Sequence, residues 1–418
     1  MLCRKYGVPP IEPVLDSSSK TIDVSIPVIS GSVIDTNFLM LKASTYNNTL
    51  KYIDQPIKGP ISMSEASVIS FSLDQVSDIN SLKKQIRSIR KPIEISGVLP
   101  NISDYKSYKT SILDIISDLP NHITLNCSTY LADVIQDIQS YQSKIHALGT
   151  SIYGTCSSQN PSLQTLLYYN VNRSTLLQQI QFLKQHNIDL VLDIDAICQP
   201  TDKITNTFGS QLWLFDLLCQ LSSIGIKNVF VNMDSFSNVY GILAYLYFSR
   251  NNSIINPMKT SLNSNINMYV SENVKEYLLA VVHKDDSQSS LSVNINGSGS
   301  LIRLVSNQMI EGICGMAFGE LTFDGSSDGN PIQIRTHDSN TQFSTTNVSS
   351  NFLVGRMSVA ILRISKTQSG GAYFENINNS DEKRTVVTIR PNPLVDYYDS
   401  VPTTMSLTDF KEMYREDL

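Results

Sequence analysis

The spacing of apolar residues along this chain changes character twice. Near the start, Thr21-Ile-Asp-Val-Ser-Ile26 alternates apolar and polar side chains as a strand does, and Asn37 to Lys42 is a second strand-like stretch. From Val68 onward, short apolar runs alternate with helically spaced ones. The pattern predicts strands at 68–73, 92–97, 122–127, 149–154, 188–195 and 227–232. Between them it predicts helices at 78–90, 108–119, 131–145, 174–185 and 212–223. In the first of these, Ile79, Leu82, Ile86 and Ile89 share one face. Beyond about residue 270 the pattern is again that of strands, at 277–283, 291–295, 301–305, 332–335 and 357–364, with Gly, Asn and Ser turns between them.

Repeated strand–helix alternation predicts parallel strands joined by crossover helices, most simply a barrel. The expected fold class is α/β: a shortened (β/α) TIM-like barrel plus an all-β sandwich built from N- and C-terminal segments. Residues 1–60 are assigned to an N-terminal extension and sandwich strands, 61–265 to a degenerate barrel, 266–365 to the sandwich and 366–418 to a C-terminal extension. The early strand around Ile22 to Ile26 is expected to join the sandwich. The C-terminal extension offers a strand at 384–390, prolines at Pro391, Pro393 and Pro402, and a short helix opened by Ser406. Val386, Val387 and Ile389 are expected to add a strand to a sheet edge, on the chain's own domain or on a neighbouring subunit.

Composition narrows the function classes. Hydrophobic residues make up 41% of 418 residues, enough for a sizeable core, and charged residues only 17%. The net charge of −6 and the lack of a basic cluster argue against nucleic acid and anionic membrane surfaces. No apolar run reaches the roughly 20 residues of a membrane span. The opening Met-Leu-Cys-Arg-Lys-Tyr-Gly lacks the apolar stretch of a secretory leader, which favours an intracellular or particle-associated site. Asn-X-Ser/Thr sequons occur about as often as chance predicts in so Asn- and Ser-rich a chain. The six cysteines and five histidines have no metal-type spacing, so no metal or cofactor is expected. Cys127, Cys219 and Cys314 lie in apolar runs and are expected to be buried thiols.

The segment from Phe208-Gly-Ser-Gln-Leu-Trp213 through Lys227-Asn-Val-Phe-Val231 resembles the last helix–strand unit of the retaining glycosidases related to heparanase and microbial β-glucuronidases, glycoside hydrolase family 79. Ala317-Phe-Gly-Glu-Leu-Thr-Phe-Asp324, followed by 357–364, is similar to the closing part of that family's sandwich. The resemblance covers roughly residues 60 to 365. It implies an acid–base Glu in an Asn-Glu pair at the tip of the fourth barrel strand. It also implies a nucleophilic Glu at the end of the strand before the Phe-Gly-Ser helix. Glycoside hydrolysis by this route needs both carboxyl groups.

Here residues 138–188 contain no Asp or Glu, and the acid's place falls on Tyr153-Gly154 or Gly154-Thr155. The nucleophile aligns with Asp193, or with Leu192 after a one-residue slip. Strand alternation turns Leu190, Leu192 and Ile194 toward the helices and leaves Val191, Asp193 and Asp195 in the lumen. Gly154 and Asp193 are close enough in sequence that two of the family's strand–helix units are expected to be missing. The family's Phe-Ser-x-Glu reads Phe71-Ser-Leu-Asp74, and its Arg-x-Gly-Gly reads Glu94-Ile-Ser-Gly97.

No catalytic residue is assigned on this basis; Asp193 and Asp195 are the nearest candidates. Ligand-binding candidates are Tyr153, Asp193, Asp195, Asn232 and Asp234, with Tyr240 and Trp213 as further aromatic surfaces for a sugar. The helical pattern also places Trp213 in the core. The expected function is a catalytically inactive glycoside-hydrolase-like protein serving as a structural or interaction component of a larger assembly, with a protein partner or self-assembly through the C-terminal extension. A glycan-binding pseudoenzyme and a retaining β-glucuronidase-like enzyme with residual activity are the alternatives.

Overall fold

The computed structural model describes residues 13, 20–24, 34, 38–44, 68–72, 93–96, 123–126, 145–153, 162–195, 204, 207–226, 228–232, 238–250, 253–258, 265–285, 290–307, 310–319, 321–324, 332–333, 346–366, 373–374 and 389–390. The helices predicted at 78–90 and 108–119 lie outside them. So does the one at 131–145, save Ile145, which opens a strand.

Seven short strands, β2 (Leu39–Ser44), β3 (Val68–Ser72), β4 (Ile93–Ser96), β5 (Ile123–Asn126), β6 (Ile145–Tyr153), β7 (Asp189–Asp195) and β8 (Asn228–Asn232), pair in sequence order. Every pairing is parallel, and β2 pairs with both β3 and β8, so the ring closes. The first strand of this ring lies within the 1–60 segment that the sequence assigns to an extension. Its apolar pattern is that of any short strand, and only pairing with β8 reveals its place.

Between β6 and β7 come α1 (Leu163–Leu167) and α2 (Arg173–Lys184). Next are α3 (Phe208–Ser222), between β7 and β8, and α4 (Asn238–Ser249), after β8. Asn172 caps α2 by accepting from the Thr175 amide at 3.2 Å, and Thr207 caps α3 by accepting from the Ser210 amide at 3.3 Å. The Thr207 cap starts α3 four residues before the predicted Leu212. The sequence pattern misses α4, whose Ile242-Leu-Ala-Tyr-Leu-Tyr-Phe248 stretch is apolar on nearly every side and carries no helical period.

The second body is an antiparallel sheet. Its path runs β15 (Ile332–Gln333), β14 (Leu321–Thr322), β13 (Met316–Phe318), β12 (Leu291–Ser306), β17 (Ser358–Ser365), β11 (Glu276–His283), β10 (Ile266–Glu272), β9 (Ile254–Met258). Off this path, β1 (Lys20–Asp23) and β16 (Thr346–Val354) both pair with β12. The early strand thus joins the sheet body as expected, while β9 belongs to it although it falls inside the 61–265 segment. The long β12 carries a bulge between Asn294 and Ser298; β1 pairs with it before the bulge, β17 after it, and β16 on both sides. At Gly299 any Cβ would run into the Arg363 carbonyl, so this crossing requires glycine.

Alternation along these strands separates two cores. Leu278, Ala280, Val282, Ile302, Leu304, Val359 and Ile361 face α3 and α4, in one cluster with Leu212, Trp213, Phe215 and Phe248. Leu279, Val281, Leu301, Ala360, Leu362 and Ile364 face the other way, against Leu291, Val293, Phe352 and Val354. The sheet is therefore buried on both faces, and its strands read as near-continuous apolar runs. Trp213 is 2% exposed, as the helical pattern predicts.

Two expectations need correction. Within the described part of the C-terminal extension, β18 (Tyr373–Phe374) pairs with β19 (Ile389–Arg390) as a separate two-stranded sheet, so Ile389 does not extend the large sheet's edge. Val386, Val387 and the 406–418 segment lie outside the described residues. Cys219 is a buried free thiol, but Cys314 is disulfide-bonded to a partner outside the described residues. It occupies the turn before β13, not the interior of a strand. Cys127 is outside the described residues.

Candidate functional site

β7 alternates as its sequence requires. Leu190, Leu192 and Ile194 join the helix-facing core, whereas Val191 forms a separate small cluster with Ala147 and Phe230 inside the ring. Asp193 shares the parity of Val191 and is 4% exposed. In register it lies opposite Ser151 on β6 and Phe230 on β8. Asp193 is therefore within the wall of the ring, next to an apolar cluster.

Tyr153, Asp195 and Asn232 are the last residues of β6, β7 and β8. Tyr153 is paired in register with Asp195, and Asn232 with Lys42 on β2. The backbone thus brings three of the sequence candidates to the same end of adjacent strands, the end where barrel enzymes hold their chemistry. The description of these three extends to backbone position. Asp234 lies outside the described residues.

Strand order also numbers the ring. Counted from β2, the fourth strand is β5, which ends in Asn126 and is followed by Cys127; β6 is the fifth. Among the described residues the ring has seven strands, against the eight of a full (β/α) barrel. No local pattern encodes the membership of β2 in the ring.

Two of the aromatic candidates, Trp213 and Tyr240, are buried. Trp213 is in the helix–sheet core. Tyr240 is 5% exposed, its ring edge-on to Phe323 and its hydroxyl accepting from the Phe323 amide at 2.8 Å. Burial, then the nearby Asp324 carboxylate, pushes the Tyr240 hydroxyl well above its ordinary range. The rest of the Phe-Gly-Ser-Gln-Leu-Trp motif is also packing. A Cβ on Gly209 would lie 2.7 Å from the Leu163 side chain of α1, and Gln211 accepts from the Gly241 amide of α4 at 3.0 Å.

Sequence reasoning missed two buried charge networks. On α3, Asp216 is 1% exposed and accepts from Lys284 Nζ at 2.8 Å, the Tyr269 hydroxyl at 2.6 Å, Asn267 Nδ2 at 2.9 Å and Gln220 Nε2 at 3.1 Å. Its sequence signal is a lone Asp in the apolar run Leu212-Trp-Leu-Phe-Asp-Leu-Leu-Cys219. Burial, with Asp216 adding to it, raises the Cys219 thiol and the Tyr269 hydroxyl, so neither is a reactive anion. On β11, Glu276 accepts from Arg250 Nε at 2.6 Å and from Arg363 Nε. Burial alone would raise its carboxyl, but the two guanidiniums outweigh that and hold it below the usual range. Among the described residues no group of three or more His, Cys, Asp or Glu side chains could hold a metal ion, and no helix is long and apolar enough to cross a membrane.

No protein-family profile matches the sequence, and no curated protein is similar to it in sequence. Solved structures do match. A 4-O-α-L-rhamnosyl-β-D-glucuronidase from Fusarium oxysporum superimposes with a TM-score of 0.54 at 12% identity, over 82% of this chain and 100% of that one. A family 30 endoxylanase from Clostridium papyrosolvens gives 0.40 at 9% identity, over 83% and 100%. An α-L-arabinofuranosidase from Thermotoga maritima gives 0.44 at 8% identity, over 86% and 98%. The first of these, with the closed parallel ring and the appended antiparallel sheet, shows that this chain has a glycoside-hydrolase-like fold.

Proposed function

We propose that the protein is a catalytically inactive relative of the heparanase and microbial β-glucuronidase type, its ring a shortened (β/α) TIM-like barrel, and that it serves as a structural or interaction component of a larger assembly. The observation that carries this reading is the missing acid. In sequence, neither Asn126-Cys127, at and after the last residue of β5, nor Tyr153-Gly154-Thr155, at and after the last residue of β6, supplies a carboxyl where the family's donor belongs. A retaining mechanism holds its two carboxyl groups about 5 to 5.5 Å apart, and one carboxylate by itself cannot both protonate the leaving oxygen and attack. Asp193 is moreover almost fully buried beside Val191 and Phe230, and Asp is one methylene shorter than the Glu it replaces. Displacing a nucleophile by about 1 Å can cost about 100-fold in rate.

Purified protein should release no aryl aglycone from aryl β-glucuronides above the uncatalysed background. Turnover that vanishes in Asp193→Asn would overturn the proposal. A glycan-binding role has one observation in its favour, the gathering of Tyr153, Asp195 and Asn232 at adjacent strand ends. Titration with glucuronide oligosaccharides separates the two: saturable heat that Asp195→Ala and Asn232→Ala abolish favours glycan binding.

A further inference from the structure

The turn before β13 and the residues just after it do more than continue the sheet. The Phe208 amide donates to the Gly312 carbonyl at 2.8 Å and the Gly209 amide to the Ile310 carbonyl at 2.9 Å, so the turn caps the start of α3. Beyond β13, the Phe323 amide donates to the Tyr240 hydroxyl at 2.8 Å, and Thr322 Oγ1 lies 3.3 Å from the same hydroxyl, near the start of α4. Because α3 follows β7 and α4 follows β8, both helix starts belong to the strand-end face of the barrel. One short segment of the sheet body therefore grips two helices of the barrel.

Asp324 fastens the two halves of that segment together. Its carboxylate accepts from the Gly315 amide in the turn, and its own amide donates to Thr322 Oγ1 at 3.2 Å. Buried Asp216 is matched by Lys284, and Glu276 by two arginines, but half-buried Asp324 has no ion-pair partner among the described residues. The group that faces it from α4 is the Tyr240 hydroxyl, which burial and Asp324 itself keep protonated. Glu311, in the same turn, is exposed. Burial opposes the charge on Asp324 and outweighs the Gly315 hydrogen bond that favours it, so the carboxyl titrates above its ordinary value of 3.8.

We propose that Asp324 is a proton-dependent clasp: protonated, it holds this segment firmly on the starts of α3 and α4, and ionised, it loosens that grip. The protonated carboxyl keeps a carbonyl oxygen to accept from Gly315, so the bond survives while the uncompensated charge is removed. The sign follows from the direction of the shift. The stability that Asp324 contributes is complete below the ordinary value of 3.8 and is lost as pH rises through the higher folded value. The join between sheet body and barrel thus tightens in acid. This goes beyond the proposed function and is independent of whether the barrel hydrolyses anything.

The test is amide hydrogen exchange on the full-length protein at about pH 4 and about pH 7, with each rate divided by its intrinsic value. Protection of the Phe208, Gly209 and Gly315 amides is read relative to amides in the middle of α3, which removes changes in global stability. In the wild-type protein this ratio should be higher at the lower pH, by up to about tenfold for each unit by which the folded carboxyl exceeds its ordinary value. Asp324→Asn removes the charge and keeps the carbonyl oxygen, so its ratio should be the same at both pH values. A wild-type ratio that is equal at the two pH values or higher at the upper one, or a dependence that persists in Asp324→Asn, overturns the proposal. Should Asp324→Asn fail to fold, the carboxyl carbon resonance of Asp324 in the wild-type protein decides: a titration midpoint above 3.8 supports the clasp, and one at or below it overturns it.

Discussion

Asp216 and Lys284 are each about 1% exposed and lie on different bodies of the fold, one on a barrel helix and one just past β11. Two charges taken out of water are expensive unless geometry and extra hydrogen bonds compensate, and here Tyr269, Asn267 and Gln220 saturate the carboxylate. Removing one partner strands the other. Asp216→Asn or Lys284→Met should each destabilise by about 3–5 kcal/mol. The double variant should lose clearly less than the sum, because no uncompensated charge remains; additive losses in denaturant melts would show that the pair is not coupled. Glu276 makes a pH prediction. Its folded carboxyl titrates below its ordinary value of 4.5, so the stability it contributes is complete above that pH. As pH falls through the lower folded value that contribution is lost. Unfolding midpoints measured from pH 6 down to pH 3 should therefore decline less steeply in Glu276→Gln.

At the scale of elements, α3 is the member that joins barrel to sheet. One turn of it, Phe208 to Trp213, packs against α1, α4 and the turn before β13 at once. These contacts account for the residues of this run by packing between elements. Trp213→Ala should destabilise by about 3–5 kcal/mol, the range for large aromatic deletions in cores. A midpoint shift no larger than that of a surface substitution on α2 would show that the core around α3 is wrongly described. The close approach of α4 has its own requirement, since a Cβ on Gly241 would lie 2.8 Å from the Gln211 carbonyl oxygen.

At the scale of the molecule, barrel and sheet share one continuous core, so they should unfold together. The C-terminal extension is different in kind. Its described strands, β18 and β19, pair with each other and not with the large sheet. If the proposed assembly role is right, removing residues 391–418 should leave the melting midpoint of the two bodies unchanged and weaken self-association, read by sedimentation velocity over a range of concentrations. Unaltered association with a lower midpoint would make the extension an internal brace and remove the main support for an assembly role.

Local pattern carried much of this fold. The period of two along β7 by itself turned Leu192 outward and Asp193 inward, because successive side chains of a strand must leave on opposite faces. The apolar stripe of α2 likewise placed that helix to within a residue, although its cap is Asn172. Closure of the ring depended on tertiary structure. Leu39–Ser44 reads as a strand wherever it goes, and only its hydrogen bonds to β8 make it the first of seven. The pairing of Asp216 with Lys284, 68 residues away, and the bonding state of Cys314 were equally out of reach. Charge pairing and disulfide formation depend on distance in space, which sequence separation does not encode.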